Sequence, residues 1–493
     1  MGGDSGIARN AGFAFGVQMT GAVFTAGLTL FLVRALDPDG YGTLALAISV
    51  GGVALIVSDL GVSQATARYV AENRGDRSAA GALVGDALKL KLAISAAVSI
   101  ALAALAGPIA SGFGASDLEW PLRAIAIAVF AQSLMFMYST FVALGRTDLN
   151  LRLAFAESFT ETAATIALVL LGAGVTGAAF GRAVGYAVGG LATVILLARV
   201  FGLLHKGRRH RRVVPRRALA GYAGALAIVD GTFALFSQID VLVIGAVLGP
   251  SAVGLFQAPM RLAPLLSYPG TAVAFGVGPR LARRKDRPPD VEGLETALRY
   301  LVLFQAALIA PIVVWAEPIV DLLLGEDYAE SAEVLRALAP FIFLGGLSPV
   351  LSIGVNYLGV ARSRIAIAVT ALAVNFAIDV ALVPEIGIVA GAIGTGVGYA
   401  IYTTGHFWIC RRELGIGLRG PAIALVQAGS AACAMAAVLA AFGTSSLSPI
   451  AWLAGGASGT AAFVLVLILT GALTRQEGDA VTTAARRVAA RFR

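Results

Sequence analysis

The chain has 493 residues, 58% of them apolar and 13% charged, about half the roughly 25% charged share of a soluble domain. About fourteen membrane spans of roughly 20 residues each would consume a share of the length close to that apolar fraction, leaving short loops. A large extramembrane catalytic domain, a nucleotide-binding domain and a soluble oligomer are thereby excluded as the principal content of the protein.

Charge-free runs mark the spans, because an ionised group at the bilayer centre costs at least about 2.5 kcal/mol. Asn10 to Val33, Leu92 to Ser116, Ala124 to Gly145, Thr162 to Gly181, Ala337 to Ala361 and Ile386 to Cys410 are such runs. Gly420 to Thr474 holds no charge, and the turn-forming GTSSLSP segment at 443–449 divides it into two. The same rule predicts an all-α chain with helices near 10–33, 42–60, 84–106, 121–143, 151–171, 176–198, 219–247, 252–276, 296–315, 336–358, 364–383, 387–409, 420–442 and 449–473.

The loops alternate in charge. One set holds Arg68, Arg74 and Arg77; Arg146 and Arg152; the run KGRRHRRVVPRR at 206–217; Arg280, Arg283, Arg284, Lys285 and Arg287; Arg362 and Arg364; and Arg411, Arg412 and Arg419. The opposite set is poor in such residues, and its longest member, 317–333, is acidic. Lys and Arg accumulate on the cytoplasmic side, so both termini are expected in the cytoplasm and the number of spans is even. No cleaved signal sequence is expected. The net charge of +8 follows from this orientation: anionic lipids are the expected partners of the basic loops, at about 1 kcal/mol per residue, and nucleic acid is not. The tail repeats Val481, Ala484, Ala485, Val488, Ala489 and Phe492 at helical spacing with arginines elsewhere, as in a helix lying on the inner leaflet.

The sequence repeats itself at an offset of about 212 residues. Leu36-Asp-Pro38-Asp-Gly-Tyr-Gly42 matches Leu248-Gly-Pro250-Ser-Ala-Val-Gly254 in Leu, Pro and Gly, and residues 174–187 match 387–400 at 7 of 14 positions. Arg68 and Arg280 keep the same spacing. Six spans separate the copies, which implies a parallel duplication: an N-terminal six-helix lobe at 1–205, the basic linker 206–217, a C-terminal lobe at 218–413, two further helices within 414–474, and the tail 475–493.

Ionisable groups inside the spans mark a path or a pairing. Asp230 and Asp240 fall on the seventh span, Arg261 on the eighth, and Asn375 and Asp379 one turn apart on the eleventh; Glu157 and Glu161 are one turn apart on the fifth, and Arg182 is on the sixth. Glu157 and Glu161 are expected to be neutralised by Arg182, and Asp240 by Arg261. These acidic and amide residues are candidates for cavity and ion-coupling roles. Arg261, and Arg182 with it, are candidates for substrate binding, since a mid-membrane guanidinium suits a diphosphate. Asp59 is expected at a gate or a cap, with Arg68 and Arg280 at the matching ends of the repeats, and Lys89 and Lys91 are expected to snorkel. Two cysteines (Cys410, Cys433) and three histidines (His205, His210, His406) supply neither a disulfide framework nor a metal-ligand cluster. No GxxxxGK[ST] loop occurs, so direct ATP drive is not expected; nor is any metal, cofactor or enzymatic activity.

Five segments carry a family resemblance: LDPDGYG at 36–42, SDLGVSQATARYVAEN at 58–73, QIDVLVIGAVLGPSAVGLFQAPMRL at 238–262, LGEDYAESAEVLRALAP at 324–340 and NFAIDVALVPEIGIVAGAIGT at 375–395. Together they resemble the polysaccharide-biosynthesis (oligosaccharide flippase) branch of the multidrug/oligosaccharidyl-lipid/polysaccharide exporter superfamily. The resemblance implies a V-shaped pair of six-helix lobes with a cationic cavity, alternating access, and outward transfer of a polyprenyl-diphosphate-linked glycan, with glycosyltransferases or a polymerase as protein partners. Two departures stand out: the second Asn of the family's span-11 motif is Asp379 here, and the cavity arginines expected in the first lobe are not evident beyond Arg182. A cation-coupled multidrug exporter of the same fold is the alternative, with Asp230 or Asp240 as its ion site.

Overall fold

The computed structural model describes residues 2–73, 75–135, 138–201, 216–281, 288–358 and 363–473, excepting the side chains of 2–8, 11, 77, 78, 201, 216–230 and 233. The linker core at 206–215 and the tail lie outside the described residues. All regular structure described is helical. In chain order the helices are α1 Gly2–Asp59, α2 Val62–Glu72, α3 Arg77–Ala104, α4 Ala106–Gly112, α5 Glu119–Ser133, α6 Tyr138–Ala143, α7 Thr147–Leu168, α8 Gly174–Phe201, α9 Arg216–Leu248 and α10 Pro250–Leu262. They continue as α11 Tyr268–Val277, α12 Val291–Val314, α13 Ala316–Leu323, α14 Ser331–Ala337, α15 Ala339–Tyr357, α16 Arg364–Ile386, α17 Val389–Leu414, α18 Arg419–Ala441 and α19 Pro449–Leu469.

Among the described residues, nine helical stretches are long and apolar enough to cross a membrane. Two of them, Gly12–Asp59 and Thr147–Val200, run for 48 and 54 residues, more than twice the length one crossing needs. Each is broken where the sequence predicts a loop. In α1 the break is Asp37, whose φ of 55° ends the first helix. Its carboxylate then accepts from Gly40 N at 2.8 Å while Pro38, lacking an N–H, opens the next helix. Between α7 and α8, Gly172 (φ 86°) and Gly174 (φ 51°) take the left-handed turn, which a side chain would oppose. The nine stretches thus cover eleven of the predicted spans. The other three correspond to α9, to α17 and to a broken helix, α10 and α11 separated by the tighter turn 263–267.

Contacts group the chain into two compact units, one of residues 1–262 with 368–398, the other of 263–367 with 399–493. In the second unit, α12, α15, α18 and α19 share an apolar core around Leu298, Val302, Leu351, Met435 and Phe463. Trp315 fastens it: the indole N–H points at the carbonyls of Leu439 (3.3 Å) and Gly443 (3.1 Å), and the ring meets Trp452 edge-on at 5.0 Å.

Within the first unit, the two copies of the Leu-x-Pro motif pack on each other reciprocally. A Cβ at Gly42 would sit 1.8 Å from the carbonyl oxygen of Pro250, and one at Gly254 would sit 1.9 Å from that of Pro38. Position i of one copy meets position j of the other, and the reverse, as in a two-fold contact. Backbone conformation repeats too. Asp37 and Gly249, each between the motif's Leu and Pro, both have positive φ, 55° and 86°.

Backbone oxygens cannot yield as a flexible side chain can, so Gly42→Ala and Gly254→Ala are each predicted to cost about 3 kcal/mol, the upper range for overpacking. Gly85→Ala, where nothing lies within 4 Å, should be neutral or stabilising by up to about 1 kcal/mol. Thermal unfolding of the detergent-solubilised variants checks both; equal stability of Gly42→Ala and Gly85→Ala would contradict the packing described.

Candidate functional site

A cavity of about 310 Å³ lies in the first unit. On α7, Ala154, Glu157, Ser158, Glu161 and Thr162 line it, the i, i+3, i+4, i+7, i+8 stripe of one helix face. Arg182 and Tyr186, one turn apart on α8, line it from another side, and Arg261 enters from the end of α10. The glycines of α8 make this convergence possible. A Cβ at Gly185 would stand 2.5 Å from that of Glu161, so the helices approach closely at this point.

The two cavity arginines differ in state. Arg182 Nη1 donates to Glu161 Oε1 at 2.7 Å, Nη2 donates to the Tyr186 hydroxyl at 2.5 Å, and the guanidinium lies 4.9 Å from the centre of the Tyr186 ring. Arg261 has no ion pair or hydrogen bond among the described residues. Glu157 accepts only a long bond, 3.3 Å, from the Tyr138 hydroxyl. The expected neutralisation by Arg182 therefore holds for Glu161, while Glu157 has no direct ion pair. Arg261 also stands where the expected eighth span breaks. Pro259 and Pro264, which cannot donate to the helical ladder, bracket it, and the chain tightens over Ala263–Ser267.

A second polar cluster joins α9, α16 and α17. Asp240, Asn375, Asp379 and Thr395 are all buried. Asn375 Nδ2 donates to Asp240 Oδ1 at 2.7 Å, and the Thr395 hydroxyl donates to Asp240 Oδ2. Among the described residues no N–H or hydroxyl donates to Oδ1 of Asn375 or to either carboxyl oxygen of Asp379, and the Asp379 carboxyl lies within hydrogen-bond reach of that of Asp240. The backbone of Gly394 closes over them, since a Cβ there would meet Asp379 Oδ1 at 2.4 Å and Asn375 Oδ1 at 2.5 Å. Orphaned buried acceptors beside a second carboxylate require a proton or a cation. An all-oxygen set suits a hard cation.

The expected pair between Asp240 and Arg261 does not form. The Asp240 carboxylate is engaged by Asn375, Thr395 and Asp379, and Arg261 opens on the cavity lined by α7 and α8. Thr395 escaped notice in the sequence because a lone threonine carries no charge signal. The internal repeat held the clue, for Thr395 occupies the place of Arg182 in the matched segments. The side chain of Asp230 lies outside the described residues. Asp59, Arg68 and Arg280 each have separate local partners. Asp59 accepts from Ser63 and from Lys91, so Lys91 is buried and paired where snorkelling was expected. Arg68 bonds to Glu72 at 2.9 Å, and Arg280 approaches Asp290 at 3.4 Å.

The Arg182–Glu161 pair, with side chains 26% and 14% exposed, should behave as a buried pair whose halves are costly to remove singly. Glu161→Gln or Arg182→Gln alone is predicted to cost about 3 kcal/mol, and the double substitution less than the sum. Chemical unfolding in detergent measures this; strict additivity would show that the two groups do not interact.

Three comparisons bear on this architecture. The family described as polysaccharide biosynthesis protein matches residues 31–333. The probable low-salt glycan biosynthesis flippase Agl15 of Haloferax volcanii is 22% identical over 196 residues, 38% of this chain and 41% of that protein; the match thus spans about two fifths of the relative's length. Among solved structures, the lipid II flippase MurJ in an inward closed conformation superposes with a TM-score of 0.65 at 15% identity, over 92% of this chain and 97% of that one. An inward-facing multidrug resistance MATE family transporter of the MOP superfamily gives 0.61 at 16% identity, over 80% and 95%. These likenesses are of fold. The chain is a multi-pass membrane protein with the fold shared by MurJ and MATE transporters, and it belongs to the polysaccharide biosynthesis protein family.

Proposed function

We propose that the protein is a flippase that carries a polyprenyl-diphosphate-linked oligosaccharide across the cytoplasmic membrane by alternating access, for surface polysaccharide or glycan biosynthesis. One observation carries the reading: Arg261 lines the cavity and makes no ion pair or hydrogen bond among the described residues. An uncompensated charge in that setting is costly. A ligand that brings two phosphates supplies the missing anion and can bind the guanidinium through paired hydrogen bonds. Arg182, held by Glu161, contributes positive potential at shorter reach. The family, and the likeness to the flippases Agl15 and MurJ, support a flippase.

The cluster of Asp240, Asn375, Asp379 and Thr395 is the proposed seat of a coupling cation or proton, because its orphaned oxygens change state when one arrives. The whole protein would sit with both termini in the cytoplasm, its basic loops against anionic lipids and near glycosyltransferases or a polymerase. A cation-coupled multidrug exporter is the second reading, favoured by the carboxylates Glu157 and Glu161 in the cavity. The six-helix lobes at 1–205 and 218–413, read from the internal repeat, are the proposed moving parts.

Reconstituted into liposomes, Arg261→Ala should slow translocation of a polyprenyl-diphosphate-linked oligosaccharide by about tenfold to a hundredfold, the worth of a charged hydrogen bond. Arg261→Lys should recover part of it, since an ammonium offers charge without the planar fork. Wild-type rates in Arg261→Ala would remove the residue from the mechanism, and efflux of cationic drugs without lipid transport would establish the exporter. Asp379→Asn is predicted to abolish stimulation of transport by an imposed sodium or proton gradient; undiminished stimulation would place coupling elsewhere.

A further inference from the structure

The cavity holds more chemistry than a diphosphate uses. It is lined by seven hydroxyls, those of Thr25, Thr29, Tyr41, Tyr138, Ser158, Thr162 and Tyr186. Those of Thr25, Ser158 and Thr162 make no hydrogen bond among the described residues. Glu157, on the same face of α7, is a carboxylate with room for about four donors and holds one, the long bond from Tyr138. An acceptor-only group beside open hydroxyls is a surface for a ligand rich in O–H donors. Glu161 lies one turn along the same face of α7. Arg182 is taken by Glu161, which leaves Glu157 without an ion pair of its own.

Size sets which part of the ligand can lie there. A volume of about 310 Å³ is at the small end of the roughly 300–1,000 Å³ range of small-molecule sites. It admits a headgroup and the sugar next to it, and excludes a whole oligosaccharide. Resting on the flippase reading above, we infer that this cavity contains a subsite for the first sugar after the diphosphate, and that Glu157 makes it select a neutral sugar over a uronate. Arg261 takes the phosphate end. Glu157, Ser158, Thr162 and Thr25 receive the adjoining ring, with Glu157 accepting from its hydroxyls. A carboxylate on that ring would face Glu157 at close range, and like charges so placed cost several kcal/mol in a desolvated site.

Two lipids of equal chain length test this in proteoliposomes of the full-length protein: polyprenyl diphosphate bearing glucose, and the same lipid bearing glucuronate. The wild type should move the glucosyl lipid at least about tenfold faster. Glu157→Gln, which keeps the shape and removes the charge, should bring the ratio towards one by raising the glucuronosyl rate. Arg261→Ala should slow both lipids together. Equal wild-type rates would overturn the inference and leave the flippase reading standing. An unchanged ratio in Glu157→Gln would likewise overturn it. If the wild type moves neither lipid, the reading and the inference fail together.

Discussion

A charge in hydrocarbon must be paired, hydrated or absent, and the first unit of this protein is organised around that constraint. Its apolar helices carry few ionisable groups, and nearly every one described has an identifiable answer. Arg182 is answered by Glu161 and Tyr186, Lys91 by Asp59, and Asp240 by Asn375 and Thr395. Beside Glu157, which holds one long bond from Tyr138, Arg261 and Asp379 are the exceptions. One is a cation with no ion pair among the described residues, the other an acid set against the carboxylate of Asp240. Their signs are opposite and their surroundings separate, so the molecule offers one place for an anionic ligand and another for a cation or proton. This division suits a carrier that couples movement of an anionic lipid to an ion, and the function proposed rests on it.

Glycine permits the geometry. At Gly42 and Gly254 two backbones touch reciprocally, at Gly185 α8 closes on the backbone of Glu161 in α7, and at Gly394 α17 closes on the carboxylate of Asp379 in α16. In lipid there is little hydrophobic gain from helix association, so close approach and polar contacts must supply the cohesion. The duplication therefore appears twice, as repeated residues and as a repeated backbone device, a positive φ before proline followed by a glycine that meets the other copy.

Much of this was legible in the sequence. Long apolar runs with few or no charges and alternating loop charge point to an all-helical membrane protein, and the helix break at Asp37-Pro38 is readable from residue chemistry alone. The convergence of Glu157, Glu161 and Arg182 on one cavity follows in part from spacing, because i, i+4 pairs share a helix face; the arrival of Arg261 there does not. Pairing between distant helices was less accessible. Asp240 was assigned to Arg261 on charge, whereas two neutral side chains satisfy it; hydrogen bonding by Asn and Thr leaves no electrostatic trace in a sequence. Lys91 looked like an interfacial lysine because its partner, Asp59, lies on another helix. The broken helix around 263–267 was written in Pro259 and Pro264, yet a long apolar run outweighed them.

The most direct test of the account is a structure of the protein with a polyprenyl diphosphate bound. The account predicts phosphate oxygens within hydrogen-bonding distance of the Arg261 guanidinium, inside the cavity lined by α1, α7 and α8. A diphosphate bound elsewhere, with Arg261 turned to acyl chains or engaged by a protein carboxylate, would contradict it.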